Sequence, residues 1–368
     1  MKRARLGYRP ALDGIRGLAI LGVLFRHAFH VPPGGGFGVD LFFVLSGFLI
    51  TTLLLEERDA TGTISFRAFY RRRALRLFPA LAVMLVAFVV AVTARALVEG
   101  KPTLLTDGLR AVAVAGFYTG NFAAAFHRDL LGHFSIGQLW SLAEEEQFYL
   151  LWPLALAVAL RRGVSRRAIV GTLWLLILAV VTERFVLTYT GGRPDRIYYG
   201  PDTHADGLLA GCLLALLLRR PARLAADRSL GYMCLLAFGF VAYNPRFGYT
   251  GVAPIAIPAS VGLVATVVAQ PAGLVTRALS LRPLVGIGRI SYGLYLWHGL
   301  ALWTLGPDHR WLGIATGLAC AVLSYRYVEQ PFLRRKRGVG AGMTLSRGRR
   351  ERRSGAARLS WSALRSGS

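Results

Sequence analysis

Cysteine and acid are both scarce in this chain. The three cysteines, Cys212, Cys234 and Cys320, lie in apolar segments without metal-ligand spacing. No disulfide framework, zinc site or other metal site is expected from them. Asp and Glu number 19 against 44 Lys and Arg, and charged residues of all kinds make up only 17% of the chain. So little charge argues against a soluble domain. No small-residue cleavage site follows the first apolar run, so the basic N-terminus reads as the flank of a retained helix rather than a signal peptide. No repeat of fixed short period occurs.

What is abundant is apolar. Hydrophobic residues make up 54%, mean hydropathy is +0.46, and runs of about spanning length recur throughout. The fold class read from this is all-α: a polytopic helical membrane protein, resident in the cell (cytoplasmic) membrane with the lipid bilayer as a partner. The formal net charge of +25 raises nucleic acid as a partner. Its placement says otherwise. Residues 334–368 hold eleven Arg or Lys and one Glu, and most of the remaining basic residues sit in short loops between apolar runs. That is the signature of cytoplasmic loops, not of a nucleic-acid-binding face. Two parts are expected: a membrane-embedded domain over 1–337, and a basic Gly/Ser/Arg-rich tail over 338–368. The tail cannot bury a core, so it is expected to be disordered, with its arginines near anionic lipid.

Residues 12–31, LDGIRGLAILGVLFRHAFHV, are long enough to cross a bilayer core. They nevertheless carry Arg16 and His27. Eleven residues make about three helical turns, so both side chains share a face, about 16 Å apart along the axis. Ionisable groups in a spanning helix point by default into a protein interior and mark a functional path. The competing reading makes Arg16 a snorkelling anchor and His27 a packing residue.

Further spanning segments are read at about 39–55, 80–98, 139–160, 168–189, 205–218, 230–243, 252–269, 284–305 and 312–328, with Ser46-Gly47 breaking the second. Residues 56–78 read as a long loop with six arginines. Residues 109–126 are ambiguous, and loop charge decides them. If they lie on or dip into the outer face, the basic loops 56–78, 161–167 and 219–228 and the tail all fall inside. The topology expected is therefore about ten transmembrane helices with both termini cytoplasmic.

With that topology, Glu144, Glu145 and Glu146 open the fourth segment near the depth of His27. Glu145 shares a face with Ser141 and Tyr149 by the i, i+4 rule, so it is the carboxylate expected to face inward and orient His27 as general base. Glu144 reads as interfacial and solvated. Arg72, Arg73 and Arg76 lie where the third segment enters the membrane, and guanidinium forks suit phosphate. With Arg16 they suggest a site for a phosphorylated donor; the alternative is purely topogenic charge. Asp40, Asp202, His204 and Asp206 are polar groups of the outer face that could line an acceptor site, although Asp206 is equally suited to capping a helix. His298 reads as a satisfied core histidine.

These residues resemble the membrane-bound acyltransferase-3 family, which includes O-acetylases of bacterial surface polysaccharides. Arg16 and His27 match its Arg-x10-His pair. Residues 38–50, GVDLFFVLSGFLI, match its second-helix signature, and 69–79, FYRRRALRLFP, its arginine-rich loop. Residues 139–153, LWSLAEEEQFYLLWP, match a further block that includes Trp140 and Ser141, with Glu144 where an apolar residue is usual. DTHADG at 202–207 has His204 where arginine is common; SYGLYLWH and YVEQPF also fit. The resemblance spans about 8–333 and implies ten helices.

It also implies transfer of an acyl group, commonly acetyl, from cytoplasmic acyl-CoA to an acceptor hydroxyl at the outer face. The acceptor is expected to be a carbohydrate or glycolipid. In that reading His27 is the base and Glu145 its orienter. Arg16, Arg72, Arg73 and Arg76 hold the donor phosphates. Asp40, Trp140, Ser141, His204 and Asp206 face the acceptor. Some members carry an extra C-terminal esterase-like domain. Here a short basic tail stands in that place, so the membrane domain is expected to act alone or with a separate protein. The rival class is a proton-coupled transporter or flippase of a polar lipid or sugar, which intramembrane His, Arg and Glu also mark. A broken helix pair at matched positions of inverted halves would favour transport, and no such symmetry is visible.

Overall fold

The structure, a computed structural model, describes residues 6–127, 136–218, 229–244 and 248–334. The tail from 338 and the loop 219–228 lie outside the described residues. Among the described residues every regular element is a helix. In chain order they are α1 (Pro10–Phe29), α2 (Gly38–Thr61), α3 (Phe66–Glu99), α4 (Thr103–Gly116), α5 (Gly120–Phe126) and α6 (Trp140–Arg161). There follow α7 (Arg166–Tyr189), α8 (Pro194–Tyr199), α9 (Pro201–His204), α10 (Asp206–Leu217), α11 (Leu230–Tyr243) and α12 (Gly248–Ala269). The last four are α13 (Leu274–Leu279), α14 (Arg282–Arg289), α15 (Ser291–Leu305) and α16 (Arg310–Leu323).

Among the described residues five helical stretches are long and apolar enough to cross a membrane: Gly35–Thr61, Phe66–Glu99, Arg166–Tyr189, Gly248–Ala269 and Pro307–Arg334. Helices α1 and α6 have 20 and 22 residues, about 30 Å and about 33 Å at the helical rise, but carry charge along their length. Outward faces are apolar, as on α7, where Trp174, Leu175 and Leu178 are exposed.

Several boundaries differ from the sequence reading. Residues 56–78 are not a long loop. Helix α2 runs to Thr61 and stops at Gly62, whose φ of 78° suits glycine. Helix α3 starts four residues later on the N-cap Ser65, whose Oγ accepts from Ala68 N at 3.4 Å. The arginines therefore sit on a helix, where Arg is a good former. Residues 109–126 form parts of two helices, about 21 Å and about 10 Å long, neither long enough to cross a core of ~30 Å. The segment expected at 284–305 is split into α14 and α15 at Ile290, and α16 passes into a π-helical turn, Ser324–Glu329.

Nor does Gly47 break α2, which is continuous through it. Its purpose is close approach. A Cβ on Gly47 would sit 2.0 Å from Leu208 O, and one on Gly211 would sit 2.1 Å from Val44 O. Helices α2 and α10 therefore touch backbone to backbone, as small residues permit between helices in lipid. Helix α2 is the central rod. Its Phe43 joins the apolar cluster with α3 and α15, its Leu41 and Phe48 the cluster with α1 and α12, and its Ile50 and Leu54 the cluster with α6 and α7.

Candidate active site

A cavity of about 190 Å³ lies along α2. Its lining runs from Val39 to Glu57 on that helix, about 27 Å at 1.5 Å per residue. Arg16 comes from α1, and Arg72, Arg73 and Arg76 come from α3. Glu57 and Glu145 are the lining carboxylates. The four arginines predicted from sequence thus converge on one cavity, at what we call the arginine end.

Their charges are unevenly spent. Arg72 Nη2 donates to Glu57 Oε2 at 3.2 Å. Arg73 Nη2 donates to Glu146 Oε1 at 3.4 Å, and its guanidinium carbon lies 3.2 Å from the centre of the Tyr149 ring. Among the described residues Arg16 has only a 3.7 Å contact with Asp13. Arg76 makes no hydrogen bond or ion pair among the described residues, although Arg16 and Arg73 are near enough to repel it. The cavity thus has cationic capacity left over at one end, which suits an anion with several oxygens.

Toward the other end the wall is hydroxyl-lined. Glu145 accepts from Ser46 Oγ, to which Tyr149 OH also donates at 2.6 Å. Tyr295 OH donates to the Gln138 carbonyl, so the 2.6 Å contact between Ser141 Oγ and the Tyr295 oxygen has serine as donor. His298 is one turn beyond Tyr295 on α15, its ring centre 5.8 Å from that of Tyr295.

His27 does not pair with Glu145, contrary to expectation. Glu145 is turned toward α2, whereas the His27 face of α1 meets α15. There His27 Nδ1 lies 2.9 Å from His298 Nε2, with the two rings nearly parallel at 8°. His27 is exposed and His298 fully buried. The second histidine is therefore no isolated core residue.

The residues expected to face an acceptor are mostly buried among themselves. Asp40, His204, Asp206, Trp140 and Ser141 are all buried. His204 Nε2 lies 3.2 Å from Asp40 Oδ1, to which Tyr249 OH also donates at 3.0 Å. His204 Nδ1 meets the Tyr198 carbonyl at 2.6 Å, and Trp140 packs edge-on against the same ring at 5.0 Å. Asp206 does not cap a helix. It takes both arms of Arg184, Nη1 at 3.4 Å and Nη2 closer. Asp202 is outside this cluster and pairs with Arg196. Glu144, read as solvated, is only 2% exposed and neither of its carboxylate oxygens has a partner among the described residues. It sits in the field of His204, Asp206 and Asp40.

Sequence reasoning missed Arg184 and the role of His298. The signal for Arg184 was present, since a charge inside the apolar run 168–189 points into protein by default. His298 had no such signal, because only the tertiary meeting of α1 and α15 gives it a partner.

Comparison with known proteins gives the same family as the motifs. The model of the acyltransferase domain called Acyl_transf_3 matches residues 9–325. A peptidoglycan O-acetyltransferase of Listeria monocytogenes is 35% identical over 359 residues, 90% of this chain and 56% of that protein. An O-acetyltransferase of Staphylococcus aureus is 34% identical over 361 residues, 91% of this chain and 58% of that protein. A relative in Bacillus subtilis is 36% identical over 354 residues, covering 88% of this chain and 55% of its own length. The chain thus spans a little over half the length of these relatives. No solved structure matches it. With the family model covering most of its length, and the motifs at Arg16, Ser141 and Arg76 converging on one cavity, the chain belongs to the acyltransferase-3 family.

Proposed function

We propose that this protein is an integral-membrane O-acyltransferase. It moves an acyl group, acetyl in the simplest case, from acyl-CoA to a hydroxyl of a carbohydrate acceptor. The observation that carries this reading is the α2 cavity, with unspent arginine charge at one end and a hydroxyl-lined wall beside the histidine pair at the other.

The donor enters at the arginine end. Arg16, Arg72, Arg73 and Arg76 take the phosphates of the coenzyme, with guanidinium forks matched to phosphate oxygens. Loop charge makes this the cytoplasmic end and leaves both termini on that side. The pantetheine arm lies along α2. The axial distance from Arg16 to His27, about 16 Å, brings the thioester to the Ser141–Tyr295 wall. Glu145 and Ser46 form the polar flank of that path rather than orienting the base.

The acceptor approaches the exposed side of His27 from outside. Its hydroxyl oxygen attacks the thioester carbonyl carbon as His27 takes the hydroxyl proton. The carbon–sulfur bond breaks, and the departing sulfur receives the proton from the imidazolium. The relatives named for peptidoglycan make a glycan of that class the first acceptor to try.

The test is thiol release from acetyl-CoA by the full chain in lipid nanodiscs, with and without soluble peptidoglycan fragments. Acceptor-dependent thiol release, with an acetyl ester appearing on the sugar, is expected. Folded protein that releases no thiol from any acyl-CoA overturns the reading and shifts weight to transport.

A further inference from the structure

We infer that His298 is the positioning residue of His27: it fixes the tautomer that leaves His27 Nε2 as the base, in the place a carboxylate takes in a histidine–acid pair. This rests on the proposed role of His27 and extends it to a residue outside the cavity.

The chain of hydrogen bonds sets the tautomers one after another. His298 Nδ1 lies 2.9 Å from the carbonyl oxygen of Leu294. A carbonyl only accepts, so His298 Nδ1 carries a hydrogen. In the neutral ring Nε2 is then a lone pair. That lone pair faces His27 Nδ1 at 2.9 Å, so the bridging hydrogen belongs to His27 Nδ1. The neutral His27 ring is left with its lone pair on Nε2, the nitrogen not bonded to His298. Which nitrogen of a catalytic histidine is free is set by the bond the other one makes.

The seat is rigid. His298 is fully buried. Helix α16 closes behind it at Gly317, where a Cβ would come within 3.1 Å of the His298 Cα. The ring cannot turn without losing both of its bonds.

The charge balance also differs from that of an acid-paired histidine. The charged or titratable groups facing His27 are Arg26 and His30 on α1 and His298 on α15. No carboxylate faces it among the described residues. When His27 Nε2 takes the acceptor proton, its Nδ1–H bond to His298 is retained. The new positive charge is shared with a second imidazole instead of being neutralised by an anion. That arrangement gives orientation and a proton-sharing partner, and it keeps the imidazolium acidic enough to return the proton to sulfur.

The test measures kcat and KM for acetyl-CoA, and the pH dependence of kcat/KM, in the full chain in nanodiscs, for wild type, His27→Ala, His298→Leu, His298→Gln and His298→Glu. Wild-type turnover that is lost in His27→Ala establishes the base; its absence is a failure of the proposed function and not of this inference. Given that base, His298→Leu is expected to lower kcat by about 10–100-fold, the usual effect of losing an outer partner, with KM for the donor unchanged. His298→Gln, whose amide oxygen accepts from Nδ1–H, is expected to restore most of the loss. His298→Glu places an anion beside His27 and is expected to move the acid limb of the profile to higher pH. Wild-type kcat in His298→Leu overturns the inference. So does a folded His298→Gln no better than leucine, or a His298→Glu profile that does not move. Should His298→Leu fail to fold, the glutamine and glutamate variants still decide.

Discussion

Two groups of ionisable side chains flank α2, and they are treated in opposite ways. At one end Asp40, Glu144, Asp206, Arg184 and His204 are each 2% exposed or less. They are mostly spent on one another. At the other end Arg16 and Arg72 keep 21% and 39% of their side-chain surface open, and Arg76, which lines the cavity, makes no hydrogen bond or ion pair among the described residues and feels Glu329 only through space. Buried, paired charge holds helices α2, α7, α9 and α10 in register. Charge that faces a cavity unpaired is held ready for something that is not the protein. In such a bundle the count of ionisable residues says little about function, and the count of unspent ones says much.

The largest effect is on folding. Arg184→Ala leaves Asp206 buried without its cation and should cost about 3–5 kcal/mol, read as loss of monodisperse protein or a large fall in the thermal midpoint. Replacing both partners by leucines of similar bulk should recover most of that loss, because a buried ion pair contributes little net stability. Gly211→Leu should match the single variant in severity, since its side chain has no room against the Val44 carbonyl.

The next effect belongs to the open end and leaves folding alone. In the proposed function Arg76→Ala removes a charge-assisted bond to the donor, worth about 1.5–3 kcal/mol. KM for acyl-CoA should rise by about 10–100-fold, by the same conversion, with little change in thermal midpoint. The smallest effect is at Arg72, whose bond to Glu57 is half open to solvent. Arg72→Ala, which leaves Glu57 its bond from Ser65 N, should change stability by no more than about 1 kcal/mol, measurable as a shift in thermal midpoint of a few degrees at most.

The sequence made the helical class and most helix positions legible because lipid-facing helices must be apolar along their whole length. It erred where polar residues continue a helix, as at Arg67–Arg73 on α3, because charge in a run of arginines looks like a loop until the Ser65 cap is seen. Gly47 misled for a related reason. A glycine in a helix can mark a break or a close contact, and only the position of α10 distinguishes them. The arginine cavity was legible because Arg72 and Arg76 are one turn apart and Arg16 shares a helix with His27. The partner of His27 was not, because the nearest carboxylates in depth, on α6, face another helix, and His298 is 271 residues away in sequence. The burial of Glu144 was equally hidden, since the face rule singles out Glu145 and gives no sign that α9 and α10 bring His204 and Asp206 up to Glu144.

In the proposed function the arginine end of the α2 cavity binds the donor, and the histidine pair beyond Tyr295 transfers the proton. The most direct test is steady-state thiol release from acetyl-CoA by wild type, Arg76→Ala and His27→Ala in nanodiscs with a saturating glycan acceptor. The account predicts a raised donor KM with near-normal kcat for Arg76→Ala, and for His27→Ala a kcat lower by about 10²–10⁴-fold with donor KM unchanged. A raised donor KM in His27→Ala together with a normal one in Arg76→Ala would contradict it.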